Sequence, residues 1–392
     1  LYINSNSPLT QGLTSYTKKV SKLALLKLMN KRIISEKLTA HLLGILGIGY
    51  EVDKELRENA FISRFMNGCP GGFCISIDFD NRRDERIDAD RRATLEILAL
   101  CDEFDIPVTW AICGVTAIRE RDIFERILNS RVKHEIAVHT FNHADFSRCT
   151  EELARSQVID TMNLLPPGTK CTTFIFPWNR TGHFELLRKM GFTAYRGREK
   201  KLAYPSKNNG LWNVHPLFYL YERNYTYSGV LKALLDLAIS REAVFHLWFH
   251  PWNLEVAGDV SRYIKDTIRP LFEYADLKRK DGELWVCTLG ELANYCEARS
   301  RTEVHHHERD GSVDIGIEHR MDDARFSRRQ VLTLGVKIPS GVIKIKASLA
   351  GNPVQEDRLI LKGSSRRGRF LFLNLPLDKP STLLTLEFIK RA

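Results

Sequence analysis

Between residues 73 and 299 the chain sets short strand-like runs before longer helix-like ones, six times in succession, and few folds accept that order. "FCISIDFD" precedes "DADRRATLEILALCDEF", "VTWAICG" precedes "TAIRERDIFERILN", and "HEIAVH" precedes "TEELARSQVIDTMNLL". "CTTFIFP" then precedes "HFELLRKMG", "AVFHLWFHP" a helical stretch near 260 to 280, and "ELWVCTL" the run "GELANYCEARS". A strand that returns beside its predecessor through a helix must pair parallel to it. This many such units predict a parallel sheet that closes, or nearly closes, into a barrel. In a barrel of that kind the functional groups gather where the strands end, at their C-terminal edge.

The regions flanking this core read differently. Residues 17 to 45 carry apolar residues at helical spacing with lysines between them, which predicts an amphipathic helix or helix pair packed on the main domain or lying on a membrane surface. After the polar stretch "SRTEVHHHERDG", the runs "VDIGIEHR", "QVLTLGVKI", "VIKIKASL", "DRLILKG", "RFLFLNL" and "LLTLEFIK" alternate apolar and polar residues between turn formers. That is the pattern of an all-β, sandwich-like module. The expected division is therefore a basic helical extension over 1–60, a barrel over 61–300, a linker over 301–311 and a β domain over 312–392. His305, His306 and His307 fall in that linker and read as solvated.

The net charge of +10 on 392 residues invites a nucleic-acid reading, but it is not spread evenly. Residues 1–60 hold nine Lys and Arg against five Asp and Glu, residues 310–392 hold fifteen against nine, and the middle is neutral. A neutral core without a recognition motif argues against nucleic acid, and leaves an anionic glycan or a membrane surface as the partner of the basic ends. The eight cysteines are scattered with no CxxC pair, and several lie in apolar runs such as "WAICG" and "LWVCT". They read as buried thiols in a reducing, cytoplasmic setting, with peripheral contact to a membrane as an option. The apolar run "AHLLGILGIGY" is too short to span a bilayer.

The chemistry concentrates at the strand ends. "HEIAVHTFNH" runs from a strand into His139 and His143, and "SIDFD" ends the first strand with Asp78 and Asp80, two residues apart and so on one side of an extended chain. His250 closes "FHLWFH" at another strand end. Two imidazoles and one carboxylate make a three-ligand site for a divalent metal with open positions, as hydrolysis requires. Zinc is the expected ion, with cobalt, manganese or iron able to replace it. Trp178, Trp248 and Trp252 are candidates to stack on sugar rings, and His246 shares a strand face with His250.

"SIDFD", "HTFNH", "FPWN" and "LWFH" together resemble, in order and approximate spacing, the motifs of the polysaccharide deacetylase (NodB-homology, carbohydrate esterase family four) domain, over roughly residues 70 to 299. The resemblance implies a distorted (β/α)7 barrel and a metal-dependent hydrolase that removes an N-acetyl group from a sugar in a glycan or glycolipid. It implies Asp78 as catalytic base, Asp80, His139 and His143 as metal ligands, and His250 as general acid. It also implies Trp178 as a wall of the acyl pocket, with its backbone N–H facing the oxyanion. The family's third motif carries an Arg where this chain has Ile175, so Arg180 is the expected substitute for orienting the base, and an Asp that would tune the acid histidine is not identified. Two alternatives stand beside this reading: a deformylase or other linear amide hydrolase of the same fold, and a glycan-binding protein with a vestigial site.

Overall fold

The computed structural model describes residues 49–50, 59–81, 84–220, 228–255, 259–309, 311–321, 323–326, 330–364 and 368–390. The basic helical extension expected over 1–60 lies outside the described residues, apart from 49–50 and 59–60. No helix of the described residues is long and apolar enough to cross a membrane.

The barrel strands are β1 (Gly71–Phe79), β2 (Thr109–Ile112), β3 (Glu135–Val138), β4 (Thr173–Ile175) and β5 (Ala194–Arg196), followed by β6 (Ser206–Asn208), β7 (Leu211–Asn213), β8 (Phe218–Tyr219), β9 (Val244–Phe249) and β10 (Leu284–Val286). They form one curled ten-stranded sheet in the order β8-β9-β1-β2-β3-β4-β5-β7-β6, with β10 pairing the start of β1. All the pairings are parallel except the β6–β7 hairpin. Where the sheet would otherwise gape between β7 and β9, His246 Nδ1 lies 3.1 Å from the Val214 carbonyl. The result is a distorted barrel, with the parallel sheet expected from the alternation and the distortion that the resemblance implies.

β1 is buried at every position, as a central parallel strand covered on both faces should be. Its Phe73, Ile75, Ile77 and Phe79 pack against α1 (Ile87–Phe104) and the other helices in the largest apolar cluster of the described residues. The helical runs read from the sequence appear as α1, α2 (Gly114–Arg119), α3 (Arg121–Leu128), α4 (Glu151–Met162) and α5 (Phe184–Lys189). α6 (Ser228–Ser240) was not anticipated, and α7 (Arg269–Lys280) and α8 (Leu289–Ser300) follow. Thr150 caps α4, and Thr288 with Glu291 forms a complete capping box on α8, satisfying amide donors that would otherwise lack partners. All eight cysteines are free thiols, and seven of them are buried.

The C-terminal part is a sandwich of two sheets. One contains β11 (Thr302–Arg309), β12 (Ser312–His319), β14 (Val342–Leu349), β15 (Asn352–Pro353) and β18 (Ser381–Lys390); the other contains β13 (Val331–Ile338), β16 (Leu359–Ser364) and β17 (Gly368–Pro376). The stretch expected as a linker over 301–311 is instead strand β11, antiparallel to β12 along its whole length. Its histidines are exposed, as expected. With Val304 as its single apolar side chain packed inward, β11 is a polar edge strand, and alternation alone does not signal such a strand.

The sandwich shares a strand pairing and core residues with the barrel part. The strand Ala60–Ile62 pairs with β13, and Gly335 opposite it leaves room for the Phe61 ring, which a Cβ would meet at 2.6 Å. Tyr295 and Ala298 of α8 are buried in the sandwich core, and the Tyr295 hydroxyl donates to the Ser63 carbonyl at 2.9 Å. The core that stabilises the β module is thus partly built from the barrel's last helix.

Candidate active site

Six strand ends, those of β1, β3, β4, β5, β8 and β9, converge on a cavity of about 600 Å³ at the C-terminal edge of the sheet. Its lining includes Asp78, Asp80, His139, His143, Arg196, Tyr219 and His250, with Trp178, Trp248 and Trp252 around them. Asp78 and Asp80 come from the end of β1, His139 from the end of β3 and Arg196 from the end of β5, while His250 follows β9.

Asp80, His139 and His143 place one ligand atom each within 4.8 Å of one another. His143 Nε2 is 3.1 Å and His139 Nε2 3.8 Å from Asp80 Oδ2. His139 Nδ1 donates to the Ile175 carbonyl at 2.7 Å, which fixes the tautomer and turns the Nε2 lone pair inward. His143 sits at φ 61°, and Trp178 and Asn179 at 57° and 54°, left-handed conformations that cost of order 1–2 kcal/mol each for residues with a side chain. Such strain survives where surrounding structure over-determines it, commonly at ligand-holding turns. His139 Nε2 and Asp80 Oδ1 are buried without a hydrogen-bond partner. Two imidazoles and a carboxylate, with His139 Nε2 and Asp80 Oδ1 left without partners, fit a divalent ion such as zinc.

Asp78 is held differently. Arg196 grips it through both guanidinium ends, Nη1 to Oδ1 at 2.7 Å and Nη2 to Oδ2 at 2.6 Å, with both side chains almost fully buried. Nη1 also donates to Ser76 Oγ at 2.9 Å and Nε to Asn179 Oδ1 at 3.3 Å. Burial alone would raise the Asp78 carboxyl, but Arg196 and the nearby imidazoles outweigh it and hold the group below the usual carboxylate range. Burial likewise opposes ionisation of Asp80, and the three surrounding histidines bring it well below that range.

The expectation for Arg180 is corrected here. Its guanidinium pairs with Asp145 at 2.6 Å, is 47% exposed and lies outside the cavity lining. Arg196 takes the orienting role from a different strand. The sequence signal was the short run "TAYR" after α5, where strand–helix alternation calls for a strand, but three residues are too few to reveal it.

His250 Nε2 faces Asp80 Oδ2 at 3.5 Å and Asp78 Oδ2 at 3.7 Å. On its other side Nδ1 donates to Asn253 Oδ1 at 2.9 Å, and the Tyr219 hydroxyl lies 3.0 Å from Nδ1 while donating to the same amide oxygen. The partner that the sequence left unidentified is therefore an amide and a phenol, neither of them charged. Burial lowers the His250 pKa, but the Asp80 and Asp78 carboxylates prevail and push it up to about 9. A cation held by Asp80 would offset much of that influence.

His246 is not an alternative acid. It is fully buried with Nε2 accepting from Ser76 Oγ at 2.8 Å, and burial followed by Arg196 brings its pKa down to about 3. Trp248 is not a sugar platform either: the Tyr219 ring stacks on it at 3.9 Å and the Arg196 guanidinium carbon sits 4.3 Å from its centroid. Trp178 is 58% exposed and edge-on to His143 at 4.8 Å. Trp252 lies at the opposite rim, its ring 4.7 Å from His250 and its backbone N–H donating to Asp90 Oδ1 at 3.1 Å. Burial, then the nearby Glu120 and Asp80, push the Asp90 carboxyl well above the usual range.

Residues 67–177 match the polysaccharide deacetylase family model. No curated protein matches the chain. Among solved structures, a candidate polysaccharide deacetylase from Mycobacterium smegmatis is similar at 16% identity, over 60% of this chain and 93% of that one, with a TM-score of 0.48. A Puue allantoinase is similar at 14% identity over 61% and 93%, TM-score 0.47. A pseudoenzyme of carbohydrate esterase family four from Bacillus anthracis is similar at 12% identity over 57% and 65%, TM-score 0.39. The match over 67–177 takes in β1 to β4 with Asp78, Asp80, His139 and His143, so the stretch that supplies these four site residues is the one similar to the polysaccharide deacetylase family.

Proposed function

We propose that this protein is a metal-dependent hydrolase that removes an N-acetyl group from a sugar in a glycan or glycolipid. One observation carries the reading: a three-ligand set, Asp80, His139 and His143, shares a cavity with two groups able to move protons, Asp78 and His250. A divalent ion held by that set, zinc by the donor types, would supply Lewis-acid polarisation of the amide carbonyl and of the attacking water. Asp78, kept ionised by Arg196, takes the proton of that water as it attacks. The Trp178 backbone N–H is the donor assigned to the charge that develops on the carbonyl oxygen. His250 delivers its Nε2 proton to the departing amine, with Asn253 and Tyr219 holding the opposite nitrogen so that Nε2 keeps facing the site. Arg196 keeps Asp78 ionised as a base must be, and the Asp78 carboxylate beside His250 favours the protonated imidazole that an acid must be.

The test is a screen of zinc-loaded protein against N-acetylated glycans with free acetate as the readout. Formate from a formamido sugar would move the assignment to deformylation. Tight glycan binding with no product from metal-replete protein would overturn it in favour of a binding role.

A further inference from the structure

We propose that the C-terminal sandwich holds a second binding site, a cationic cleft at one end of its two sheets that takes an anionic glycan chain. The class of polymer rests on the hydrolase reading above, and the cleft itself rests on geometry. It encloses about 810 Å³, within the range of ligand sites, and is walled by β11, β12, β13, β17 and β18 together with Asn59 and Ala60.

The pleat of the strands brings two cations together there. On β17 the inward row Leu375, Leu373 and Leu371 is buried in the sandwich core, and the next inward position is Arg369, opposite Ile338 of β13. On β18, in the facing sheet, the inward row Leu384, Leu386 and Phe388 ends in the same way, in Lys390 opposite Val342 of β14. Arg369 reaches across to that sheet, its Nη1 donating to the Val342 carbonyl at 3.0 Å, so the two positive groups border one residue. Neither is paired with a carboxylate among the described residues, and the same holds for Lys337, a third cation of the lining. Arg309 is matched by Asp314 at 2.7 Å, and the one acid of the described lining, Glu308, accepts from the Asn59 amide at 3.2 Å.

Two like charges at the end of a core, without acids of their own, are relieved by an anion that accepts charge-assisted hydrogen bonds from both. The described lining has a single phenyl ring, Phe388, and it is 9% exposed. Neutral sugars and nucleobases use open aromatic faces for stacking, so what this cleft can recognise is the charge along a glycan chain.

The experiment is isothermal titration of the full chain with polygalacturonate, dextran, an oligodeoxythymidylate and phosphatidylglycerol vesicles. The wild type should bind polygalacturonate, more weakly as salt is raised, and should not bind neutral dextran. Arg369→Gln/Lys390→Gln should weaken that binding by about 10-fold or more, the scale of losing charged hydrogen bonds. Arg369→Lys/Lys390→Arg keeps both charges and should retain most of it, which separates lost charge from misfolding. Lys344→Gln/Lys346→Gln takes the same charge from β14 outside the cleft, where the lysines already face Glu356 and Glu387, and should change binding by less than about 2-fold. Equal losses in the two glutamine pairs, no binding of polygalacturonate, or tighter binding of the oligonucleotide or the vesicles would overturn the proposal. Acetate release from a neutral chito-oligosaccharide should be the same in the wild type and in Arg369→Gln/Lys390→Gln, because neither residue lines the catalytic cavity. Release without polygalacturonate binding removes the cleft alone; binding lost in Arg369→Gln/Lys390→Gln, with no release from any substrate, supports the cleft and removes the hydrolase reading.

Discussion

Replacing Arg196 by Met should unseat the base without touching a metal ligand. The Arg196 and Asp78 side chains are 1% and 3% exposed, so the carboxylate cannot turn to water when its partner is lost. Breaking a buried pair by removing one member typically costs about 3–5 kcal/mol, because the remaining charge stays desolvated. Ser76 and Asn179 would lose their guanidinium donor at the same time. For a chain of 392 residues that corresponds to a fall in melting temperature of roughly 4–6 °C. Arg180→Met is the control: an exposed pair with Asp145 contributes about 0–1 kcal/mol. Calorimetric melting of both variants, with bound zinc measured alongside, reads the difference directly. Activity should follow the same order, with Arg196→Met losing on the order of 10²-fold and Arg180→Met nearly normal. In the double variant Arg196→Met/Asp78→Asn the two losses should be far from additive, since the second change removes the stranded charge. The reasoning is refuted if Arg196→Met melts within 1 °C or so of the wild type, or if Arg180→Met is the more damaging change.

Metal analysis of purified protein should find about one equivalent of divalent ion, lost in His139→Ala and in His143→Ala; unchanged content in both would reject the ligand set. Asn253→Leu should lower kcat by roughly 10-fold or more while leaving bound metal intact, because it frees the His250 ring without disturbing Asp80, and metal loss in this variant would contradict that division. Asp90→Asn should stabilise the protein by about 2 °C or more at pH 8 and not at pH 4. A carboxyl whose folded pKa lies above its unfolded value binds excess protons in the native state, so stability falls as pH rises from the usual carboxylate range towards the folded pKa, and the amide is spared this loss. Truncation after residue 309 should give an insoluble or markedly destabilised product, since it exposes Tyr295 and Ala298 and strips the partner strand from Ala60–Ile62; a soluble fragment with native melting would contradict the shared core.

The parts of this molecule that are legible in sequence are those whose signal is local. Strand β1 announces itself by apolar residues at Phe73, Cys74, Ile75, Ile77 and Phe79 and helix α1 by an eighteen-residue helical period, and His139 and His143 follow a strand directly. Strands β5 to β8 escape because each has two or three residues, too short for any period, and Arg196 escapes with them. Tyr219 is hidden for the same reason. Asn253, by contrast, stands three residues after His250 in "HPWN", where the tight turn Pro251–Leu254 folds its amide back onto the imidazole. Strand β11 is missed because an edge strand needs no second apolar face.

The move of the guanidinium from the third motif to the end of β5 follows from how a barrel site is built. β4 and β5 are hydrogen-bonded neighbours with Ile175 opposite Arg196, so the two positions share a register level at the same edge of the sheet. An arginine from either strand has comparable access to Asp78, three strands away from β4 around the wall. What the chemistry requires is two parallel N–H donors meeting a carboxylate, and the strand that delivers them is immaterial once the level is right. Asn179 supports this by accepting from Nε of Arg196, so the turn after β4 still orients the arginine that β4 itself lacks. The proposed acid and base then differ in how they are supported. Asp78 is gripped by a full opposite charge, whereas His250 rests on the amide of Asn253 and the phenol of Tyr219. A carboxylate in that second position would stabilise the imidazolium further and make it a weaker donor. Neutral partners fix the ring while leaving its proton free to be given up, which is what a general acid near neutral pH needs.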